Sequence, residues 1–224
     1  MTQLVRVQNF LLSSDGFGAG EGQCLEAPFG RATAPVEGGA AANIPADLVG
    51  WAFGTASWAG RQEPGGSRGL DDYFSRDFAN NIGAEIMGAG MFGLHNYPAD
   101  ADWKGWWGDN PPYHCDTFVL THHARAPLVM QGGTTFHFVN DSIEAVLRRA
   151  MESAQGKDVR VGGGVATVRQ YLQAGLIDEM HIAQSPALLG AGEPLFAGLN
   201  LKSLGYKCVE RTCSPRATHI VLQR

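Results

Sequence analysis

The sequence predicts an α/β fold built on a largely parallel sheet, and three features carry that prediction. Between Thr134 and Ala183 short β-rich runs alternate with helical ones, a strand–helix–strand–helix–strand order that implies right-handed crossovers between parallel neighbours. The stretch Asp158-Val-Arg-Val-Gly-Gly-Gly-Val-Ala-Thr-Val-Arg-Gln-Tyr-Leu172 compresses an apolar strand, three consecutive glycines and an amphipathic helix into fifteen residues. Beyond Leu201 the pattern becomes two strands around Ser214-Pro215, a hairpin suited to an antiparallel sheet edge.

Composition sets the outer bounds. The chain has 224 residues, 44% apolar and 17% charged, and reads as one globular domain over 1–224. Apolar runs such as Ile182–Leu189 are too short and too interrupted to cross a bilayer. A net charge of −5 without a Lys/Arg run argues against non-specific nucleic-acid binding. The first residues enter a strand-like pattern with no basic segment and no cleavage site, so a cytoplasmic address is expected. Cys24, Cys115, Cys208 and Cys213 have spacings that fit no metal framework, and free thiols are expected.

Taken in order, Leu4–Leu12 is a β-branched and aromatic run that stops at the turn signal Ser13-Ser-Asp-Gly-Phe17. From about 18 to 69 the chain turns rich in Gly, Ala and Pro, with only Pro45–Phe53 capable of a helix. A loop of that length reads as an insertion, a lid or partner-binding excursion, or a surface loop without a role. Residues 71–81 carry an apolar stripe at 70, 74, 78 and 82 and are expected to be helical. Ala84–Met87 is a short strand, and Gly88-Ala-Gly-Met-Phe-Gly93 after it matches the dinucleotide fingerprint by letter. Its context does not: Pro98, Trp103, Gly105-Trp-Trp-Gly108 and Pro111-Pro112 leave no crossover helix and no ribose-binding acid. Cys115–Thr121 is a strand, and Thr121, His122, His123 and Arg125 gather donors at its carboxyl end, where open α/β sheets place ligands. Metal binding by the paired histidines is the competing reading, but adjacent residues on an extended chain face opposite ways and no third ligand is suitably spaced. Thr134–Val139 is a strand, Asp141-Ser-Ile-Glu144 a capping-box variant opening a helix from Ile143 to Ala154, and Val165–Ala174 the helix after the triple glycine. Asp178–Ala183 is the next strand. The apolar loop Pro186–Phe196 is expected to lie against the body or a second subunit, and Tyr206–Arg211 and Thr218–Leu222 form the hairpin. Chemically, the triple glycine lets backbone approach a ligand, and the following helix aims unpaired N–H groups at it. Phosphate is the expected guest, a bare strand-to-helix connector the plain alternative.

With these residues laid out, the chain resembles the dihydrofolate reductase superfamily, and most closely the branch related to the reductase domain of bacterial riboflavin biosynthesis. The resemblance rests on Val161–Leu172 with Gly175–Ile182 and Pro186–Gly190, on Ser13–Phe17, on Gly88–Phe92 and on Leu120–Arg125, and it spans the chain apart from the 18–69 excursion. It implies a three-layer dihydrofolate reductase-like fold with helices on both faces of the sheet, and an NADPH-dependent homodimeric reductase. The pyrophosphate would lie between the turn at Gly88, Ala89, Gly90 and Met91 and the turn at Gly162, Gly163, Gly164, Val165, Ala166 and Thr167, with a cis Gly162–Gly163 peptide. Ser13, Asp15, Gly16 and Phe17 would complete the cofactor site, and Thr121, His122, His123 and Arg125 its adenosine end. Relatives commonly carry Arg where this chain has Ala89, so discrimination of NADPH from NADH would fall to Arg125 and the two histidines. The substrate would be a pterin-like or riboflavin-precursor-like heterocycle, with Phe10, Leu12 and Trp58 as its walls. Asp72, sixteen residues before Gly88, matches the place of the family's acid, but the branch that this chain resembles most does not keep that acid reliably, and N-capping beside Asp71 is the favoured reading. A nucleotide-binding protein of this fold that has lost its chemistry is the second functional reading.

Overall fold

A computed structural model describes residues 2–33, 45–58, 63–123 and 125–224, with the backbone alone for 45–47. In chain order the elements are β1 (Val5–Leu12), β2 (Phe17–Ala19), α1 (Pro45–Phe53), α2 (Leu70–Arg76), β3 (Ile82–Gly88), α3 (Ala89–Phe92), β4 (Asp116–Leu120), β5 (Leu128–Val129), β6 (Thr135–Val139), α4 (Ile143–Ser153), β7 (Asp158–Gly163), α5 (Val165–Gln173), β8 (Glu179–Gln184), β9 (Glu193–Pro194), β10 (Lys207–Cys213) and β11 (Thr218–Gln223). Nine strands form one mostly parallel sheet in the order β10-β11-β8-β1-β7-β3-β4-β6-β5, and β2 pairs with β9 in a separate ribbon. The predicted parallel sheet and the antiparallel C-terminal hairpin are both present, the hairpin as β10 against β11.

The chain divides into two compact units, residues 1–6 with 79–178 and residues 7–78 with 179–224. In the first, β7, β3, β4 and β6 run parallel, and β5 closes the edge antiparallel to β6. Helix α4 lies on β3, β4 and β7 and buries Val146, Leu147 and Ala150, the apolar positions that its spacing puts on one face. It is capped by Ser142, whose Oγ accepts the Ala145 N–H, one residue later than a cap at Asp141. Helix α5 packs on β7 and β3 through Val165, Val168, Tyr171 and Leu172.

In the second unit, β8 and β11 pair antiparallel, and α1 and α2 pack together. Trp51, Ala52, Phe74, Ala183 and Ala217 form one core cluster, and Leu48, Val49 and Leu189 another. Helix α1 occupies the span expected of it. The helix expected over 71–81 ends at Arg76: a 3-10 turn follows at Asp77–Ala79, and Asn81 adopts a left-handed φ of 59° before β3 begins at Ile82. Asn is among the residues that tolerate this conformation, and Asn81 in the left-handed region keeps helical geometry from running on toward Ile82. No helix among the described residues is long and apolar enough to cross a membrane.

Candidate functional site

The two glycine turns adjoin within the first unit. Strand β7 ends at Gly163 and α5 begins at Val165, with Gly164 as its N-cap and no side chain capping the first-turn N–H groups. The glycines serve different needs. A Cβ on Gly88 would run into Thr167 Oγ1, so this glycine lets the end of β3 close on the first turn of α5. Gly163 has φ +141°, a conformation that glycine alone adopts easily, and a Cβ there would lie 3.1 Å from Met91 Sδ. Gly162 leaves room for the Glu85 carboxylate below it. The cis peptide is Gly163–Gly164, one bond beyond the expected Gly162–Gly163, because the strand ladder continues to Gly163 through its pairing with Met87. Among the described residues nothing beyond the adjoining backbone lies within 4 Å of where a Cβ on Gly90 or Gly164 would stand, so both turns are open there.

Behind the second turn stands a buttress that the sequence reading used only to reject another fold. Trp103 Nε1 donates to the Phe92 carbonyl at 2.8 Å and Trp106 Nε1 to the Met91 carbonyl at 3.0 Å, satisfying the last carbonyls of the four-residue helix α3. Three tryptophans within five residues, beginning ten residues after Gly93, were the available signal. Arg125 donates to the Trp103 carbonyl, and its guanidinium lies 4.8 Å from the Phe138 ring and 5.8 Å from Phe92, joining Arg125 to α3. Thr121 Oγ1 accepts the His123 N–H at 3.1 Å, the His123 ring lies 5.2 Å from Tyr97, and His122 Nδ1 is 3.2 Å from Asn140 Oδ1. The two histidines are exposed and point to separate partners.

The remaining expected site residues lie in the second unit. Ser13 is buried; its Oγ accepts the Phe17 N–H at 2.9 Å and donates to Asp15 at 2.6 Å. Asp15 in turn accepts the N–H groups of Leu189 and Gly190, at 3.1 and 2.7 Å. Burial works against its ionisation, but the hydrogen bonds from Ser13, Gly190 and Leu189 hold the carboxyl below its ordinary range. Gly16, at φ +90°, makes the turn, and the side chains of Ser13 and Asp15 are spent on bracing it against the 187–190 loop. Phe10 and Leu12 are buried, while Trp58 is half-buried with its ring 4.3 Å from Phe53. Asp72 is buried and accepts the Ser57 N–H at 2.7 Å, fastening the loop after α1 to α2; the cap position is Gly69, so neither Asp71 nor Asp72 is an N-cap.

Sequence reasoning missed two buried polar assemblies. The first joins Asp71, His219, His181 and Asn9. A carboxylate only accepts, so the 2.9 Å contact from Asp71 fixes the proton on His219 Nε2. His219 Nδ1 then accepts from His181 Nε2 at 3.1 Å, and His181 Nδ1 accepts the Asn9 N–H at 3.2 Å. Phe74 stacks on both imidazoles at 4.4 and 4.3 Å, and Trp51 meets both edge-on. Burial, reinforced by His219, pushes His181 down to about 3, and burial lowers His219 against the pull of Asp71. Both rings are therefore neutral at neutral pH. The second assembly is Glu85 with Arg160, charged residues in the middle of apolar strands, which was the signal available in the sequence. Burial raises Glu85 to about 7 even against the attraction of Arg160.

The sequence pattern of the RibD C-terminal domain matches residues 54–220. The chain belongs to this family. Among curated proteins, YyaP of Bacillus subtilis (strain 168), uncharacterized, is 32% identical over 85 residues, a match covering 38% of this chain and 44% of YyaP. The RibD-type fold recurs in a candidate riboflavin biosynthesis protein of Shewanella sp. PV-4, at TM-score 0.52 and 16% identity over 100% of this chain and 99% of that one. It recurs also in the Thermotoga maritima diaminohydroxyphosphoribosylaminopyrimidine deaminase/5-amino-6-(5-phosphoribosylamino)uracil reductase, at TM-score 0.55 and 15% identity. That match covers 99% of this chain and 56% of the Thermotoga protein. The RibD C-terminal domain thus accounts for the mostly parallel sheet and for the antiparallel hairpin at its edge. Residues 1–53, including β1, lie outside the span that the family pattern matches.

Proposed function

We propose that this RibD C-terminal domain protein is a reductase of the riboflavin-pathway type, one that uses NADPH, or NADH, to reduce a small heterocycle. The observation that carries the reading is the pairing of the Gly88–Met91 and Gly162–Thr167 turns at the uncapped N-terminus of the nine-residue helix α5. Backbone N–H groups without a side-chain cap, beside turns with open Cβ positions, suit a pyrophosphate. Gly88 to Met91 and Gly162 to Thr167 would hold it, and Thr121 to Arg125 would take the adenosine end. The cofactor supplies the hydride when bound. The protein's part is to orient it on the two turns and to keep the clamp rigid through the Trp103 and Trp106 buttress. A homodimer and a cytoplasmic address belong to the same reading.

One observation favours the second reading, a nucleotide-binding protein without chemistry. The Asp72 carboxylate is engaged by the Ser57 N–H, which gives it a fastening role in place of proton donation. Thermal melts with each dinucleotide, followed by turnover assays on reducible heterocycles, separate the two. At ~100 times its dissociation constant a bound cofactor adds ~2.7 kcal/mol of stability and raises the melting temperature visibly. Absence of a shift with either dinucleotide at near-millimolar concentration would remove the reductase reading, while binding without turnover of any heterocycle supports the second.

A further inference from the structure

Glu85 on β3 and Arg160 on β7 stand opposite each other in the parallel register, 1% and 2% exposed. Arg160 Nε reaches Glu85 Oε2 at 2.7 Å and Nη2 reaches Oε1 at 3.0 Å, a two-pronged ion pair with the planar geometry that only arginine provides. The guanidinium also lies 5.6 Å from the ring of the buried Tyr113. Burying two charges between apolar strands is poor value for stability, since hydrophobic residues of similar volume generally do as well. The position of the pair suggests another use.

The β3–β7 ladder loses its register just beyond it: Ile86 pairs with Val161 but Met87 with Gly163. Gly162 is thus the extra residue of a bulge, a device that re-aims a strand where it ends. The Glu85 carboxylate fills the space where a Gly162 side chain would stand, and Arg160 Nη2 lies 3.5 Å from that point. Beyond the slip both strands run directly into their glycine turns, at Gly88 and at Gly163. Beyond the slip the β3–β7 ladder keeps the single pair Met87–Gly163, and the Glu85–Arg160 fork is the side-chain tie that stands just before it.

We propose that the Glu85–Arg160 pair is a positioning device that holds the Gly162 bulge, and with it the spacing of the two turns, so that its contribution is to dinucleotide affinity more than to folding. This rests on the reading of the turns as the cofactor clamp. Neither residue touches the cofactor; both act through the backbone of Gly162.

The test compares the wild type with the double variant Glu85→Met/Arg160→Met, which replaces the pair by apolar residues of like size. Three quantities are measured: melting temperature without ligand, NADPH affinity by nucleotide fluorescence, and amide exchange at 86–91 and 161–167 without cofactor. The expected result is a folded protein melting within a few degrees of the wild type, with affinity lowered roughly tenfold and faster exchange confined to those two segments. Arg160→Lys keeps the charge and loses the fork; it should fold and weaken NADPH binding too, which keeps the test decisive if the double variant does not fold. Wild-type affinity in either folded variant overturns the proposal. Should the wild type itself not bind NADPH, the cofactor reading fails separately, and unchanged exchange at 161–167 in the folded variants overturns the positioning role on its own.

Discussion

A Gly163→Val protein is expected to fold and to lose NADPH binding. Gly163 sits at φ +141°, outside the range that branched residues adopt, and a Cβ would already crowd Met91 Sδ at 3.1 Å. Strain of this kind costs ~1–3 kcal/mol, and its relief requires the end of β7 to swing away from the Gly88 turn. Because the turn is the last residue of a strand whose core positions Val159 and Val161 stay buried, the loss falls on the turn and not on the sheet. Affinity should drop by roughly a hundredfold, equivalent to ~3 kcal/mol, in a protein that still melts cooperatively. Gly50→Ala is the matched control, since Gly50 lies in α1, outside both turns, and among the described residues nothing beyond its own helix lies within 4 Å of where a Cβ would stand. It should bind as the wild type does. Wild-type affinity in folded Gly163→Val would remove the pyrophosphate from this turn.

The second large effect concerns the Asp71–His219–His181–Asn9 chain. His181 is neutral when folded, with its protonation pushed down to about 3, whereas in the unfolded chain it titrates near 6.5. The unfolded state therefore binds the extra proton first as pH falls. Stability from this group is complete above about 6.5 and is lost progressively between there and about 3. Glu85 works in the opposite sense: its carboxyl is raised from 4.5 to about 7, so its contribution is present at low pH and is lost as pH rises through about 7. Wild-type melts alone would blend the two. The cleaner quantity is the stability difference between wild type and His181→Phe, which keeps a ring against Phe74 but cannot titrate. That difference should shrink by a few kcal/mol between pH 7.5 and pH 4, measured by urea unfolding. A difference that stays flat over this range would show that the histidine chain is not held neutral.

What the sequence made legible was local. The triple glycine, the strand before it and the helix after it lie within fifteen residues, and the hairpin around Ser214-Pro215 and the lone helix at Pro45–Phe53 are equally self-contained. Their turn chemistry and periodicity hold without help from distant parts of the chain. The Gly88 turn could be recognised for the same reason, but its closeness to Thr167 and, through Met91, to Gly163 could not. The histidine chain escaped because its pairings span large gaps: His219 meets Asp71 across 148 positions, and His181 meets Asn9 across 172. No local pattern records such a contact. Asp72 was singled out by its distance from Gly88, yet it is Asp71 that meets the buried histidines while Asp72 is buried against the Ser57 N–H, and spacing alone does not assign these partners to two adjacent acids. The two-residue strand β5 is too short to carry any periodicity.

The cofactor clamp is the centre of this account, and a residue-resolved titration addresses it most directly. Backbone amide spectra of the uniformly labelled protein, recorded as NADPH is added, should show saturable shifts concentrated at Gly88–Met91, Gly162–Thr167 and Thr121–Arg125. Shifts confined to other parts of the chain, or none at millimolar NADPH, would contradict it.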